Sequence, residues 1–435
     1  MNLPVSDCLI SARWIVPVIP SGVVLHHHSL VIRNGRIGAI LPTDRIGDEH
    51  RTLPRVELPH HLVTAGLINA HGHAAMTLLR GYADDLELDD WLNNHIWPVE
   101  GRVVDKSFVY DGSMLAVAEM IGTGTTCAAD TYFFPPATAD AFSDAGFRGQ
   151  IGIPVVQFGN AWAETELQHI EKGLEFHDSM KHHDLITTAF SPHAPYTVSD
   201  AGFNSIRQHA DALDIPVHLH LHETRNETEH SRPLQRIQSL GLLSSRLQAI
   251  HMTQLTTSEI DLLARHDVNI VHCPESNMKL ASGICPVLAL GESGVNVALG
   301  TDGAASNNNL DMLEEARSAA LLAKVSTRDA TGISAVDALE MATINGARLL
   351  GLESEIGSIE PGKSADLIAV DFSGVGFQPV YHPISHLIYV ASGAHVSHSW
   401  INGQCLYHDR CFTHLDVGAL RTRVDAWQEK IKAES

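Results

Sequence analysis

Apolar and polar positions divide the chain into two textures. Residues 1 to about 63 read as short strands joined by turns: "CLISARWIVPVI", then "GVVLHHHSLVIRNGRIGAILP", where alternation around "RNGR" predicts a hairpin. The same texture returns after residue 355, in "IGSIEPGKSADLIAVDF" and in "HVSHSWINGQCLYHD", which carries another Asn-Gly turn. The middle differs. Short apolar runs occur at 62–71, 124–130, 149–158, 185–193, 215–222, 247–252, 268–274 and 295–302, separated by helix-spaced segments such as "DGSMLAVAEMIGTG". Strands apolar on both faces that alternate with helices are parallel, and eight of them predict a (β/α)8 barrel. Near the end, Leu420, Val424, Trp427 and Ile431 recur at helical spacing, a stripe expected to pack on the body of the protein. The expected division is 1–63, a barrel over 64–355, and 356–435 with the terminal helix.

Polar residues close several of these runs. The first ends in His71 and His73, the fourth in His193, the fifth in His218, His220, His222 and Glu223; the sixth carries His251 and the eighth ends in Asp302. A strand sends residues i and i+2 to one face, and this barrel builds its site at the carboxyl ends of its strands. Residues distant in sequence are thereby expected to converge. Several imidazoles and a carboxylate with one open position are what a catalytic zinc requires. A single strand-end histidine is ordinarily a hydrogen-bonded core or surface residue; the joint placement on strands one, five and eight is what argues for a centre. Parity alone leaves His218 and His222 open beside His220.

Composition narrows the partners. Lys and Arg number 29 against 51 Asp and Glu, a formal net charge of −22 that repels nucleic acid and anionic membrane. No apolar run reaches the roughly 20 residues that span a bilayer. The amino-terminal "MNLPVSDCLISARWIV" is acidic where a signal peptide is basic. The six cysteines are scattered with no CxxC pair. A reduced, cytoplasmic protein is expected. Of the 28 histidines, the runs His26-His27-His28, His60-His61 and His182-His183 are expected to be solvated surface.

The motifs "VTAGLINAHGHAAMTLLRGYADDLELDDWL", "WPVE", "SPHAPYTVS", "HLHLHET", "VHCPESNMKLASGICPV", "LGTDGAASNNNLDML", "NGARLLGL" and "GSIEPGKSADLIAVD" resemble the amidohydrolase superfamily over nearly the whole length. Within it the chain is most similar to the 5-methylthioadenosine/S-adenosylhomocysteine deaminases, in the triazine hydrolase and guanine deaminase-like group. The resemblance implies a metal-bearing barrel and a small β-sandwich made by both termini. It implies metal ligands at His71, His73, His220 and Asp302, with Glu223 as proton shuttle, three residues after its histidine. His251 and Asp302 would share the catalytic work. Substrate positions fall on Glu100 in "WPVE", on Arg148 in "FRGQ" and on His193, with Glu223 and Asp302 also facing substrate. The fourth run lacks the lysine of two-metal members, so one ion per subunit is expected: zinc, or Fe²⁺ or Mn²⁺, which suit similar ligands.

The implied reaction converts an adenine nucleoside and water to the hypoxanthine nucleoside and ammonia. Glu100 suits vicinal ribose hydroxyls, because one carboxylate accepts both. Trp91, Trp97 and Met76 are candidates for an apolar wall around a methylthio group. After Arg148 no second cation follows in "GQIGIPVVQFGNAWAE", which favours 5′-methylthioadenosine over S-adenosylhomocysteine. The rivals are a deaminase or hydrolase of another ring, such as guanine, a pterin or an s-triazine, and a non-catalytic scaffold, which would have lost ligands that are all present. A homo-oligomer is expected, with a small-molecule substrate and neither nucleic-acid nor membrane partners.

Overall fold

The computed structural model of the chain describes residues 7–434, so part of the amino-terminal stretch weighed against a signal peptide lies outside the described residues. Four strands open the fold: β1 (Cys8–Val16), β2 (Leu25–Arg33), β3 (Arg36–Pro42) and β4 (Arg55–Ala65). The expected hairpin joins β2 to β3 through Asn34 and Gly35, at φ 50° and 76°, the left-handed pair that a two-residue turn needs. β5 (Leu67–Gly72) then begins a second sheet. The run at 62–71 is therefore two strands in two sheets, divided at Gly66. A Cβ there would sit 2.0 Å from Thr126 Oγ1, so only glycine lets the chain pass this close to its neighbour.

The second sheet is the barrel. β5 is followed by β6 (Thr125–Thr131), β7 (Arg148–Val155), β8 (Ile186–Pro192), β9 (Val217–Leu221), β10 (Leu247–His251), β11 (Asn269–His272) and β12 (Val297–Leu299). Each pairs in parallel with the next. A bridge between Gly72 and Asp302 brings the last strand back to the first. Every residue of β5, β6 and β7 is buried, as a sheet covered on both faces demands. All eight expected barrel strands are present.

β13 (Leu367–Asp371), β14 (Val396–Ile401), β15 (Gln404–His408) and β16 (Cys411–Phe412) return to the first sheet, whose order is β16-β15-β14-β13-β4-β1-β2-β3. Both ends of the chain thus build one sandwich-like unit. The second Asn-Gly turn, Asn402-Gly403, joins β14 to β15. The terminal helix Val417–Glu434 lies instead on the barrel helix Lys106–Gly122. Leu420, Trp427 and Ile431 are buried there; Trp427 meets Phe108 edge-on, and its Nε1 donates to Asp111 (2.9 Å). No helix among the described residues is long and apolar enough to cross a membrane.

Candidate active site

Three imidazoles converge at the carboxyl ends of β5 and β9, each with its ring orientation fixed from behind. His73 Nδ1 donates to the Thr131 carbonyl (2.6 Å) and His220 Nδ1 to the His193 carbonyl (2.6 Å). His71 Nδ1 faces His218 Nε2 at 2.8 Å, and His218 Nδ1 faces Gln248 Oε1 at 2.9 Å. Gln248 is pinned in turn, because its Nε2 donates to the Leu349 carbonyl (2.8 Å). Its Oε1 can only accept, so His218 carries its proton on Nδ1 and accepts at Nε2, and His71 donates from Nδ1. All three rings therefore turn Nε2 to the centre, and His71 and His220 present it as a lone pair, the form that binds a metal. Burial opposes charge on His73, but its contact with Asp302 lifts that ring to about 9, so a metal there would take the place of its Nε2 proton.

The donor atoms fit one ion. His71 Nε2 and His220 Nε2 are 3.2 Å apart, and Asp302 Oδ1 lies 3.4 Å from His71 Nε2 and 3.2 Å from His73 Nε2. A tetrahedral zinc with bonds near 2.1 Å has ligand–ligand edges of about 3.4 Å. Burial drives His71 and His220 well below the usual imidazole range, so both are neutral. Burial opposes charge on Asp302, yet its contacts with His71 and His73 hold it well below the usual carboxylate range. Ser276 Oγ and Ser306 Oγ donate to its other oxygen at 2.6 and 3.1 Å, turning Oδ1 toward the rings. Asp302 itself is left-handed (φ 61°), and a Cβ on nearby Gly300 would strike the His71 amide at 2.7 Å. Close approach of two backbones is what brings β12 to β5 here.

Around this centre opens a cavity of about 850 Å³, counting its open mouth. His73, Glu100, His193, His220, Glu223, His251 and Asp302 line it, with Met76, Trp91 and Trp97 on its apolar side. Burial pushes the Glu223 carboxyl up to about 8, with the Asp302 charge adding to it. Asn277 Nδ2 donates to His251 Nδ1 (3.2 Å), which leaves His251 Nε2 as a donor, 3.7 Å from Glu223 Oε1. His193 gives its Nδ1 proton to Thr197 Oγ1 (3.1 Å), whose own proton goes to the Ala194 carbonyl, so His193 Nε2 is an acceptor. At the far side Tyr132 donates its hydroxyl to Glu100 Oε1, and burial raises the Glu100 carboxyl to about 7.

With this geometry in place, comparison with known proteins decides the lineage. The amidohydrolase family model matches residues 62–406. The chain belongs to the amidohydrolase family. A 5-methylthioadenosine/S-adenosylhomocysteine deaminase of Teredinibacter turnerae is 48% identical over 439 residues, spanning 100% of this chain and 99% of that one. The zinc-bound structure of an adenosine deaminase from Xanthomonas campestris superposes with a TM-score of 0.95 at 47% identity, over 98% of this chain and 99% of that one. A zinc-complexed atrazine chlorohydrolase of Arthrobacter aurescens, at 21% identity and TM-score 0.89 over 97% of this chain and 100% of that one, shares the fold.

One expected substrate residue of this amidohydrolase is elsewhere. Arg148 is the first residue of β7, at the opposite mouth of the barrel from the strand ends that carry the site. Eight residues of strand put roughly 20 Å between the two ends. Its guanidinium is buried against the sandwich, donating to both oxygens of Asp366 (2.8 and 3.2 Å) and to Ser364. Arg148 ties the barrel floor to the terminal sheet and is not among the residues that line the cavity. The histidines that parity left open also separate. His218 faces inward one layer below the centre, behind His71. His222 follows the end of β9 in a left-handed conformation (φ 53°), which breaks the alternation and turns its ring to accept from the Leu234 amide.

Sequence reasoning missed the supports of the centre. Gln248, fully buried, is the one amide in an otherwise apolar "LQAI" run, and that is the signal it offered. Asp130 closes β6 and accepts from the Ala74 amide beside His73, a strand-end carboxylate passed over. Because Gln248 fixes the tautomers of His218 and His71, Gln248→Met is expected to weaken zinc binding by roughly 10–100-fold, the range for residues behind metal ligands. Chelator competition reads this directly, and unchanged zinc affinity would rule out the relay.

Proposed function

We propose that the protein is a zinc-dependent hydrolytic deaminase of adenine nucleosides, with 5′-methylthioadenosine as preferred substrate, giving the hypoxanthine nucleoside and ammonia. The observation that carries this reading is the sharing of one cavity by three elements: the four-donor centre, a carboxyl held protonated beside it, and a second buried carboxylate suited to ribose. The names of the near-identical-length relatives and the zinc of the Xanthomonas campestris structure support it. All six cysteines are free, which supports a reducing, cytoplasmic setting.

His71, His73, His220 and Asp302 would hold the ion. Bound there, zinc supplies Lewis acidity that makes water nucleophilic at neutral pH. The chain supplies the rest. Attack at C6 moves electron density onto N1 of the adenine ring, and Glu223, protonated at neutral pH, delivers a proton to N1. His251 points a donor N–H to the same space and stabilises charge developing on oxygen. Asp302 takes the proton released by water and passes it to the amine, which leaves as ammonia, while the proton of the hydroxyl added at C6 returns to Glu223 as the C6 carbonyl forms. His193 Nε2 accepts a hydrogen bond from substrate. Glu100 accepts from the 2′ and 3′ hydroxyls with the lone pairs that Tyr132 leaves free.

Among the described residues no lysine or arginine lines the cavity, so a homocysteine carboxylate meets no cation there. Arg80 is bound to Glu119 and Lys279 to Asp84, both held away from it. The test is ammonia release by the zinc-replete enzyme across 5′-methylthioadenosine, S-adenosylhomocysteine, adenosine, adenine, guanine and an s-triazine. Nucleosides are expected to lead; turnover confined to guanine or the triazine would overturn the reading.

A further inference from the structure

A second group of metal-type donors lies on the sandwich, away from the barrel centre. His398 on β14 and His408 on β15 are direct partners in the antiparallel register. His398 is buried and stacked on Trp400, with ring centroids 5.2 Å apart and planes 9° from parallel, which holds it in place. The His408 ring stands edge-on to it at 4.6 Å. The two-residue turn after β15, Asp409-Arg410, is left-handed at both positions and folds the Asp409 carboxylate back over the pair. Asp409 Oδ2 is 3.3 Å from His408 Nδ1, and Oδ1 is 3.7 Å from His398 Nε2. One ligand atom from each residue lies within 4.8 Å of the others. The two separations run to different oxygens of the one carboxylate, and each is near the roughly 3.4 Å edge of a tetrahedral site.

A fourth donor stands nearby. His61 on β4 shares this face of the sheet: it pairs with Asp371, two residues along β13 from the Ala369 that faces His398. The small Ala369 leaves the His61 and His398 rings 6.2 Å apart, and His61 Nδ1 is buried with no hydrogen-bond partner. The guanidinium of Arg410, which opposes a cation here, is held by Asp371 at 3.5 Å. Two imidazoles and a carboxylate, with a third imidazole in reach, suit a divalent ion of borderline softness, whereas Ca²⁺ and Mg²⁺ want oxygen.

We infer that the sandwich binds a second divalent transition-metal ion through His398, His408 and Asp409, with His61 as the adjoining fourth donor. The site is weaker than the barrel centre, because His408 and Asp409 are exposed and fewer donors are preset. Its effect is local. β16 is the edge strand and meets β15 through only two residue pairs, Tyr407 with Phe412 and His408 with Cys411. An ion joining β14 to the β15–β16 turn fastens that edge.

The experiment is a calorimetric titration of Zn²⁺ into protein whose barrel centre already holds one zinc. A second equivalent is expected, together with slowed backbone hydrogen exchange in β15 and β16. His408→Ala and Asp409→Asn, both at exposed positions, should each weaken the second equivalent by at least about tenfold, leaving the first zinc and turnover unchanged. Uptake of no second equivalent by the parent protein, or a second equivalent undiminished in the double variant, would overturn the inference. Either result leaves the reading of the barrel untouched, because that rests on the first zinc and on ammonia release.

Discussion

Glu223→Gln is expected to lower kcat by at least about 10²–10⁴-fold, the usual span for loss of a general acid–base group, with zinc content unchanged. The substitution keeps the shape of the side chain and its place beside His251. It removes the proton. Glu223 belongs to neither of the two donor groups in the barrel, His71 with His73 and His220, and His71 with His251 and Asp302, so the metal should stay. The backbone is held independently: the Glu223 amide donates to Glu227 Oε2 (2.7 Å) and its carbonyl accepts from Thr253 Oγ1 (2.6 Å). The parent enzyme should also lose kcat/KM as pH rises. A general acid works while protonated, and burial first, then the Asp302 charge, lifts this carboxyl to about 8. A cation at Asp302 cancels the second contribution, so the decline sets in at or below about 8. Metal analysis and turnover on the same preparation separate the outcomes. Near-normal turnover would assign N1 protonation to another group, and lost zinc would make Glu223 part of the centre.

The barrel and the strand-end histidines that converge at its mouth were legible because their signals are periodic. Strands buried on both faces must be apolar throughout, and parity places His71 and His73 on one side of β5. What parity could not do was choose among His218, His220 and His222. That choice depends on depth along the strand and on a single φ: His218 lies too deep, and the left-handed turn at His222 reverses its direction. The resemblance selected His220, and of the three it is the one whose Nε2 stands beside His71 Nε2, at 3.2 Å. Arg148 failed differently. A motif match carries no information about which end of a strand a residue occupies, and "FRGQ" opens β7 instead of closing it. The relay through Gln248 and the hydroxyls of Ser276 and Ser306 was hidden because their partners come from other strands and helices, through contacts no local pattern records.

Glu100 should decide substrate choice. Its Oε1 already accepts the Tyr132 hydroxyl, and its remaining lone pairs are buried. A ligand without ribose hydroxyls leaves them unpaired in a dry site, the arrangement that discriminates most sharply. 5′-Methylthioadenosine is therefore expected to outrun adenine and 2′-deoxyadenosine. Glu100→Gln, which still accepts from Tyr132, should shrink that preference and raise KM. Each lost hydrogen bond to the charged group costs about 1.5–3 kcal/mol, so kcat/KM should fall by roughly 10²-fold or more. The sugar is remote from C6, so the loss belongs to KM more than to kcat. Because burial raises this carboxyl to about 7, KM for the nucleoside should climb as pH falls below that value and protonation removes an acceptor. Glu223 governs the alkaline side and Glu100 the acid side, and Glu100→Gln should flatten only the acid limb. With Arg148 bound to Asp366 and no cation in the cavity, 5′-methylthioadenosine is expected to exceed S-adenosylhomocysteine by at least about tenfold in kcat/KM, or about 1.4 kcal/mol. Equal efficiency on the two would direct attention to the adjoining groove, which shares Leu88, Tyr196 and Glu223 with the cavity and carries Arg232 and Arg236. Those arginines are bound to Glu259 and Asp200, and a homocysteine carboxylate would have to displace one of these partners. An acid limb unchanged in Glu100→Gln would show that the ribose is held by something else.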